Sequence, residues 1–241
     1  MTFAIMESSS KFRAISHDVL QQNGVTVTCG TNFQSYKRMV HKERGHQMMA
    51  LPFEPDVLQQ DGCKAFWMIA RDSAGALIHT QAARLVEIGN RSFPDFMVKG
   101  FRAFPPPLPD LDPDRSRYRP SPGAKHISGR VVYHGDVWMG DTERQFRGSG
   151  LSTVLARMAL HEIMQTYLPD YIFGLMARTV ACKGFAERMG YMHNEPGAVT
   201  WYRQGQDAPL EGYLSYLSRE DTEYVLSMPL PFVAPERARA A

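Results

Sequence analysis

Gln145-Phe146-Arg147-Gly148-Ser149-Gly150 is the stretch of this sequence that decides its fold. It follows a segment of strand character, residues 130–139, and precedes residues 151–167, whose bulky apolar side chains recur at helical spacing. Gly148 and Gly150 permit a tight turn with exposed amides, and the helix that follows presents unpaired N–H groups and the positive end of its dipole. Anions bind well at such a helix N-terminus. The stretch therefore predicts a phosphate or pyrophosphate site between a strand and a helix.

Two common phosphate-binding loops do not fit this stretch. No Lys-Ser or Lys-Thr pair follows the glycines, so the nucleoside-triphosphate loop pattern fails. Only two glycines are present, whereas the dinucleotide fingerprint requires three. Arg147 adds a cation beside the predicted anion, and Ser149 adds a hydroxyl donor. The alternative in which the glycines merely form a connecting turn stays open.

The composition is that of a soluble globular chain. Of 241 residues, 44% are hydrophobic and 22% are charged, and the formal net charge is +2. So small a positive charge argues against nucleic acid as a partner. No segment approaches the roughly 20 apolar residues of a membrane span, and residues 1–10 lack the pattern of a signal sequence. We therefore expect a cytoplasmic protein that binds neither nucleic acid nor membrane.

The three cysteines, Cys29, Cys63 and Cys182, are scattered and form no Cys-x-x-Cys pair. Neither a disulfide framework nor a zinc site of ordinary spacing can be drawn from them. His41 and His46 lack the spacing of metal ligands on one helical face. We expect reduced thiols, Cys182 as a small buried hydrophobic residue, and no metal.

Strand and helix patterns alternate along the chain. Strands are expected at 25–28, 64–70, 76–88, 130–139, 171–176 and 200–203, and helices at 32–46, 151–167, 181–189 and 218–227. The turn formers at 72–75 make the second and third strands an antiparallel hairpin. A mixed α/β fold follows, with a mostly antiparallel sheet flanked by helices. We expect one domain over residues 1–241, with a core at 25–205, an insertion at 89–129 before the cofactor-binding strand, and a C-terminal extension at 206–241.

Prolines dominate the expected insertion. Pro105, Pro106 and Pro107 argue against a central strand or a long helix there. A loop of this length is often functional, so a lid over a site and a solvated excursion both stay open. Four aromatic residues would line an acceptor pocket, form a subunit contact or pack locally: Phe93, Phe96, Phe101 and Phe104.

The order of these elements and the glycine stretch resemble the GCN5-related N-acetyltransferases (GNAT). The signature of that superfamily is Gln or Arg, two residues, Gly, one residue, then Gly or Ala. Gln145, Gly148 and Gly150 meet it at each defined position. The resemblance extends over residues 25–203 and includes a Gly-aromatic pair at Gly190 and Tyr191. It implies a GNAT-like sheet and an enzyme that moves an acetyl or other acyl group from coenzyme A directly to an amine.

The resemblance also implies where the ligands bind. Backbone groups of Val137, Trp138 and Met139 would bind the pantetheine arm and the acyl carbonyl, with a strand amide meeting the oxyanion. The pyrophosphate would lie on the loop formed by Gln145, Phe146, Arg147, Gly148, Ser149 and Gly150. Acetyl-CoA or another acyl-CoA is the expected co-substrate, without a metal. The expected acceptor is a small-molecule or peptide amine, and a homodimer stays open.

Two positions depart from the family pattern. Ala186 stands where the family often has a tyrosine that protonates the leaving thiolate, and Thr179 replaces a frequent asparagine. The general acid is therefore expected elsewhere, with water or Tyr191 as candidates.

Two residues of the strand before the loop are candidates for the general base that amine acylation needs. His134 and Asp136 are two positions apart, so a regular strand places both on one face, leading toward Trp138. Gly135 between them is a signal for a bulge, which would change that facing. Structural roles for His134 and Asp136 stay open, and Glu143 in the loop is a further candidate.

Two other functions stay open at the level of sequence. An acyl-homoserine lactone synthase-like enzyme is suggested by the acidic segment Phe53-Glu54-Pro55-Asp56, although the full signature favours an ordinary acetyl-CoA user. A coenzyme A-binding sensor without catalysis is suggested by the missing tyrosine at Ala186.

Overall fold

The computed structural model of the chain describes residues 3–45, 47–60, 62, 64–140 and 150–230. Its strands are Thr26–Gly30 (β1), Ala65–Arg71 (β2), Leu77–Val86 (β3), Leu111–Tyr118 (β4), Val131–Met139 (β5), Tyr171–Ala177 (β6), His193–Arg203 (β7) and Leu210–Ser218 (β8). They form one sheet in the order β1-β2-β3-β5-β6-β8-β7-β4. β5 and β6 are parallel, and the other neighbouring pairs are antiparallel. The predicted mixed, mostly antiparallel sheet is confirmed.

Helices flank this sheet on both faces. In the described ranges they are Phe3–Gln22 (α1), Phe33–Glu43 (α2), Pro55–Gln60 (α3), Phe93–Gly100 (α4), Leu151–Tyr167 (α5), Arg178–Ala181 (α6), Phe185–Arg188 (α7) and Arg219–Ser227 (α8). None of the described helices is both long and apolar enough to span a bilayer.

α2 forms where the apolar stripe predicted a helix. The side chain of Asn32 caps it by accepting a hydrogen bond from the Ser35 amide at 3.0 Å. The helix ends just before Gly45, whose φ of +61° suits a glycine. Phe33 and Tyr36 bury their rings against the sheet, with Tyr36 fully inaccessible to solvent. The Tyr36 ring stacks on Trp67 of β2 at a centroid distance of 5.6 Å, which holds α2 against the sheet.

Alternation along the central strands divides the core between the two faces of the sheet. Tyr133 of β5 packs with α2 and with Phe93 and Phe104, on what we call the insertion face. Its neighbour Val132 packs with α5, α7 and α8, on what we call the α5 face. The side on which a β5 side chain emerges therefore decides which helices it meets.

Five elements were not predicted from the sequence: α1, α3, α4, β4 and β8. α1 packs on α5, where the ring of Phe12 stacks on His161 at a centroid distance of 5.3 Å. β8 follows the strand that was expected to be the last, and it lies inside the sheet between β6 and β7. The segment that was expected to be a C-terminal extension therefore contributes a strand to the sheet.

The helix expected at 181–189 is interrupted. Gly184 has a φ of +70° and separates α6 from α7, so two short helices replace one. Gly190, with a φ of +86°, ends α7 in the left-handed conformation that the sequence predicted.

The segment expected as an insertion is folded against the core. α4 has Pro94 in its first turn, and β4 pairs with β7 at the edge of the sheet, with Pro113 inside the register break between Asp112 and Arg117. An edge position tolerates proline because one side of the strand needs no partner. Three of the four aromatic residues singled out in this segment are buried in the core: Phe93, Phe101 and Phe104.

Candidate functional site

The parallel strands β5 and β6 pair over three residues and then separate. Val131–Tyr133 pair with Tyr171–Phe173, and no later pairing between the two strands is found in the described chain. Beyond this point β5 keeps β3 as its neighbour, and β6 keeps β8. The two strands therefore form a V-shaped cleft that opens toward their carboxyl ends.

A cavity of about 300 Å³ occupies this cleft. Its walls include residues 133–137 of β5 and 174–177 of β6, together with side chains from the α6–α7 segment and from residues 104–108. Most of these residues are apolar, and they lie beside polar residues such as His134 and Gln47. Such a mixture suits a ligand with both polar amide and apolar parts.

α5 begins at the open end of this cleft, because a crossover between parallel strands returns the chain from the carboxyl end of β5. Gly150 is the residue before α5 and has a φ of +72°, a left-handed conformation that favours glycine. It is the one member of the predicted pyrophosphate loop that the structure describes. Gln145, Phe146, Arg147, Gly148 and Ser149, and also Glu143, lie outside the described residues.

The three predicted pantetheine-binding residues are on β5, beyond the divergence. Val137 lines the cavity. Trp138 pairs with Thr80, and Met139 pairs with His79, on the β3 side. Of the three, only Val137 is among the residues that line the cavity.

Asp136 lies at a β-bulge and has a φ of +51°, which is unusual for a residue other than glycine. Its carboxylate faces α2 on the insertion face and is almost completely buried. It accepts hydrogen bonds from the Tyr36 hydroxyl at 2.5 Å, from the Ala50 amide at 2.9 Å and from Arg44 Nη1 at 3.2 Å. Arg44 Nη2 makes a further ion pair with it, and the Arg44 side chain is itself inaccessible to solvent.

Burial raises the pKa of the Asp136 carboxyl, and the Arg44 guanidinium opposes that shift. The same burial raises the pKa of the Tyr36 hydroxyl. With four donor contacts already on its carboxylate, Asp136 is a clamp that fixes the bulge, and substrate has little access to it.

His134 lies on the α5 face and has both ring nitrogens hydrogen-bonded. Nε2 is 3.0 Å from Gln81 Oε1, and Nδ1 is 3.1 Å from the Tyr191 hydroxyl. Gln81 is oriented by its own amide, which donates to the Leu155 carbonyl at 2.8 Å. Because Gln81 Oε1 can only accept, we assign the His134 proton to Nε2. The Tyr191 hydroxyl then donates to Nδ1.

Burial lowers the pKa of His134 to about 4, so its ring is neutral near pH 7. The same effect lowers the pKa of the buried His79, opposite Met139, to about 3. Burial raises the pKa of the Tyr191 hydroxyl. The pair of Tyr191 and His134 therefore carries no net charge at neutral pH.

The shared facing expected for His134 and Asp136 is wrong. His134 meets Tyr191 on the α5 face, whereas Asp136 meets α2 on the other face. The bulge beside Gly135 is the cause, since an extra residue reverses the alternation of side chains. The structure brings both residues to the cavity wall but does not bring their side chains together.

Tyr191 reaches the point at which β5 and β6 separate. A Cβ atom at Gly174 of β6 would lie 2.8 Å from the Tyr191 hydroxyl and 3.1 Å from the His134 carbonyl oxygen. Only a residue without a side chain leaves this space. Gly174 therefore admits the Tyr191 hydroxyl to the apex of the cleft.

Two further sequence expectations can be compared with the structure. Ala186 is fully buried under α5, so the position of the family's tyrosine is part of the core in this chain. Cys182 is exposed, 3.7 Å from the Tyr213 hydroxyl, and the expectation of a buried residue is wrong. Cys29 is also a free, exposed thiol, and Cys63 lies outside the described residues.

Sequence reasoning missed Arg44 and Gln81 as members of this site. Arg44 follows His41, Lys42 and Glu43 at the end of α2, and no sequence pattern separates it from these polar neighbours. Gln81 is one of four polar residues of β3, with His79, Thr80 and Arg84, and no sequence pattern marks it as the one that orients His134.

The sequence and the fold of the chain were compared with those of known proteins. The described strands form the mixed, mostly antiparallel sheet that the sequence predicted, with β5 and β6 as the parallel pair. No known family model and no curated protein sequence matched the chain.

Two of the similar solved structures illustrate the likeness. The spermidine N-acetyltransferase of Vibrio cholerae, in complex with CoA and spermine, is 12% identical, with 83% of this chain and 98% of that chain covered and a TM-score of 0.45. Arabidopsis thaliana NAA60, in complex with acetyl-CoA, is 13% identical, with 80% and 98% covered and a TM-score of 0.46. At these values the likeness transfers no substrate or activity to this chain.

Proposed function

We propose that this chain is an N-acyltransferase that moves an acyl group from coenzyme A to an amine, with the cleft between β5 and β6 as its site. The separation of the two parallel strands after Tyr133 and Phe173 is the observation that carries the proposal. It leaves two backbone edges facing one cavity, at the end of the sheet where α5 begins behind a left-handed glycine.

The residues present fit an acyl-CoA. The amides of the β5 edge from Val137 onward would bind the pantetheine arm, and the loop ending at Gly150 would bind the pyrophosphate at the N-terminus of α5. When bound, the acyl-CoA supplies an activated thioester to an attacking amine. The assignment of the pyrophosphate to this loop is supported by the GNAT signature at Gln145, Gly148 and Gly150, directly before α5.

The clamp on Asp136 has a role in this proposal. Arg44, Tyr36 and the Ala50 amide hold Asp136 in its left-handed conformation. The next amide in the chain, that of Val137, is thereby fixed at the wall of the cavity. We assign it to meet the negative charge that develops on the thioester oxygen, because preorganised donors stabilise such charge without reorganisation.

The Tyr191 and His134 pair provides a route for the proton that the amine must lose. Tyr191 donates its own proton to His134 Nδ1, so its oxygen is free to accept one from the attacking nitrogen. That nitrogen becomes acidic as the new C–N bond forms, which allows transfer even to a buried imidazole of low pKa. The same relay would return the proton to the departing thiolate, in place of the tyrosine that Ala186 lacks.

Thiol release from acetyl-CoA in the presence of a panel of amines tests this function. We expect acceptor-dependent release that is lost in Ala177→Trp, since Ala177 is an exposed wall residue at the open end of the cleft. Val98→Trp, at an exposed position of α4 away from the cavity, is the matched control. Release that is equal in Ala177→Trp and Val98→Trp would contradict the location of the site. A sensor without catalysis would bind the cofactor and leave the thioester intact with every amine.

A further inference from the structure

The cavity passes through the sheet from one face to the other. On the α5 face its walls are Phe185, Met189 and Tyr191, which pack with the cluster around α5. On the insertion face its walls include Phe104 and Trp201, which belong to the opposite cluster. The gap between β5 and β6 connects the two parts.

The part on the insertion face is an apolar compartment. Its walls are aromatic, proline and leucine side chains from four segments: Phe104, Pro105, Pro106, Pro107 and Leu108 after α4, Leu175 of β6, Trp201 of β7 and Leu210 of β8. Leu108 and Leu210 are each more than one-third exposed, at 36% and 37%. The name apolar compartment is used below for the space enclosed by all of these wall residues.

Charge is nearly absent from the described lining of the whole cavity. Asp136 and Glu211 are its only described carboxylates, and both are already paired. Asp136 is held by Arg44, and Glu211 accepts from Arg178 at 2.8 Å. No described lysine or arginine lines the cavity. A strongly cationic ligand would therefore find no uncompensated carboxylate in the described walls, whereas an apolar chain would find a matching surface.

We propose that the apolar compartment receives an acyl chain longer than acetyl, so that the preferred donor is a medium-chain acyl-CoA. The inference rests on the proposed function, which places the thioester beside the Val137 amide, where the cleft opens into this compartment. An acetyl group would leave the compartment's surface in contact with water. A longer chain covers it, and each methylene that becomes buried strengthens binding about fourfold.

Calorimetric titration of the full chain with coenzyme A, acetyl-CoA, butyryl-CoA and hexanoyl-CoA tests the inference without knowledge of the acceptor. We expect hexanoyl-CoA to bind at least about tenfold more tightly than acetyl-CoA. Equal affinities for all acyl chains would overturn the inference and leave the proposed function standing. Failure of every coenzyme A species to bind would instead overturn the proposed function.

A variant of the compartment provides the second test. Leu210→Lys places a charge in the wall at a partly exposed position that can keep the charge hydrated, so we expect it to fold. It should abolish the advantage of hexanoyl-CoA and leave the affinity for acetyl-CoA within about twofold. Val98→Lys, exposed and outside the cavity, is the matched control and should keep the advantage. Retention of the chain-length advantage in Leu210→Lys would contradict the assignment of the compartment.

Discussion

The hydroxyl of Tyr191 lies 3.1 Å from Nδ1 of His134, at the apex of the cleft between two parallel strands that have just separated. His134 comes from β5, Tyr191 follows α7, and Gly174 of β6 leaves the space between them. Three segments that are distant in sequence thus meet where the thioester is proposed to react. The pair is neutral and buried, so it can relay a proton without carrying a permanent charge.

Tyr191→Phe should lower the rate of acyl transfer by about a hundredfold or more, because it removes the only hydroxyl of the relay. Coenzyme A affinity should stay within about threefold, since backbone groups make the proposed cofactor contacts. Steady-state rates measured against acyl-CoA concentration separate the two effects. Tyr224→Phe, an exposed tyrosine on α8, is the control. A Tyr191→Phe enzyme with most of its rate would show that the tyrosine is structural.

Stability should fall as the pH is lowered from about 6.5 toward 4. The folded-state pKa of His134 is about 4, below the ordinary value of 6.5, so the unfolded chain binds more protons in this window. Stability is therefore greatest above pH 6.5 and decreases as pH falls. The pH dependence of the free energy of unfolding in urea gives the number of protons that the chain takes up when it unfolds. Near pH 5 this number should be about one lower for His134→Gln than for the wild type. Equal proton uptake in the wild type and in His134→Gln would contradict this account.

The buried pair of Arg44 and Asp136 should show strong coupling. Asp136→Asn keeps the shape and tolerates the left-handed backbone, but it leaves the Arg44 guanidinium buried without its counter-ion. We expect a loss of about 3–5 kcal/mol in the free energy of unfolding. The double variant Arg44→Met with Asp136→Asn should lose less than the sum of the single variants. Additive losses would mean that the pair is not a coupled unit.

We expect cofactor binding to need the absence of a side chain at Gly150, in addition to its left-handed backbone conformation. Asparagine tolerates a positive φ, so Gly150→Asn should fold with a melting temperature near that of the wild type. Its side chain would block close approach of the pyrophosphate, and we expect at least about tenfold weaker coenzyme A binding. Gly45→Asn, at another left-handed glycine with open space around it, is the matched control. Unchanged affinity in Gly150→Asn would remove this residue from the site.

Much of the fold follows from local patterns in the sequence. The hairpin of β2 and β3 and the helices α5 and α8 all depend on neighbouring residues, and each was predicted from the sequence. β8 was missed because its place between β6 and β7 depends on pairing with strands distant in the chain. The division of one predicted helix into α6 and α7 depends on a single left-handed glycine.

The site could be predicted only in part. The glycine signature located the start of α5, because a left-handed glycine directly before a helix is a local feature of the chain. The opposite facing of His134 and Asp136 depends on a bulge, which Gly135 signalled without fixing its outcome. The clamp of Arg44 on Asp136 joins residues 92 positions apart, and no local pattern contains such a contact.

Calorimetric titration with acetyl-CoA of the wild-type chain and of Ala177→Trp tests the central claim most directly. We predict saturable binding with one site per chain for the wild type, and binding at least about tenfold weaker for Ala177→Trp, whose indole would fill the open end of the cleft. The control Val98→Trp should bind as the wild type does. No heat of binding with folded wild-type protein at millimolar acetyl-CoA, or equal affinity in Ala177→Trp, would contradict an acyl-CoA site between β5 and β6.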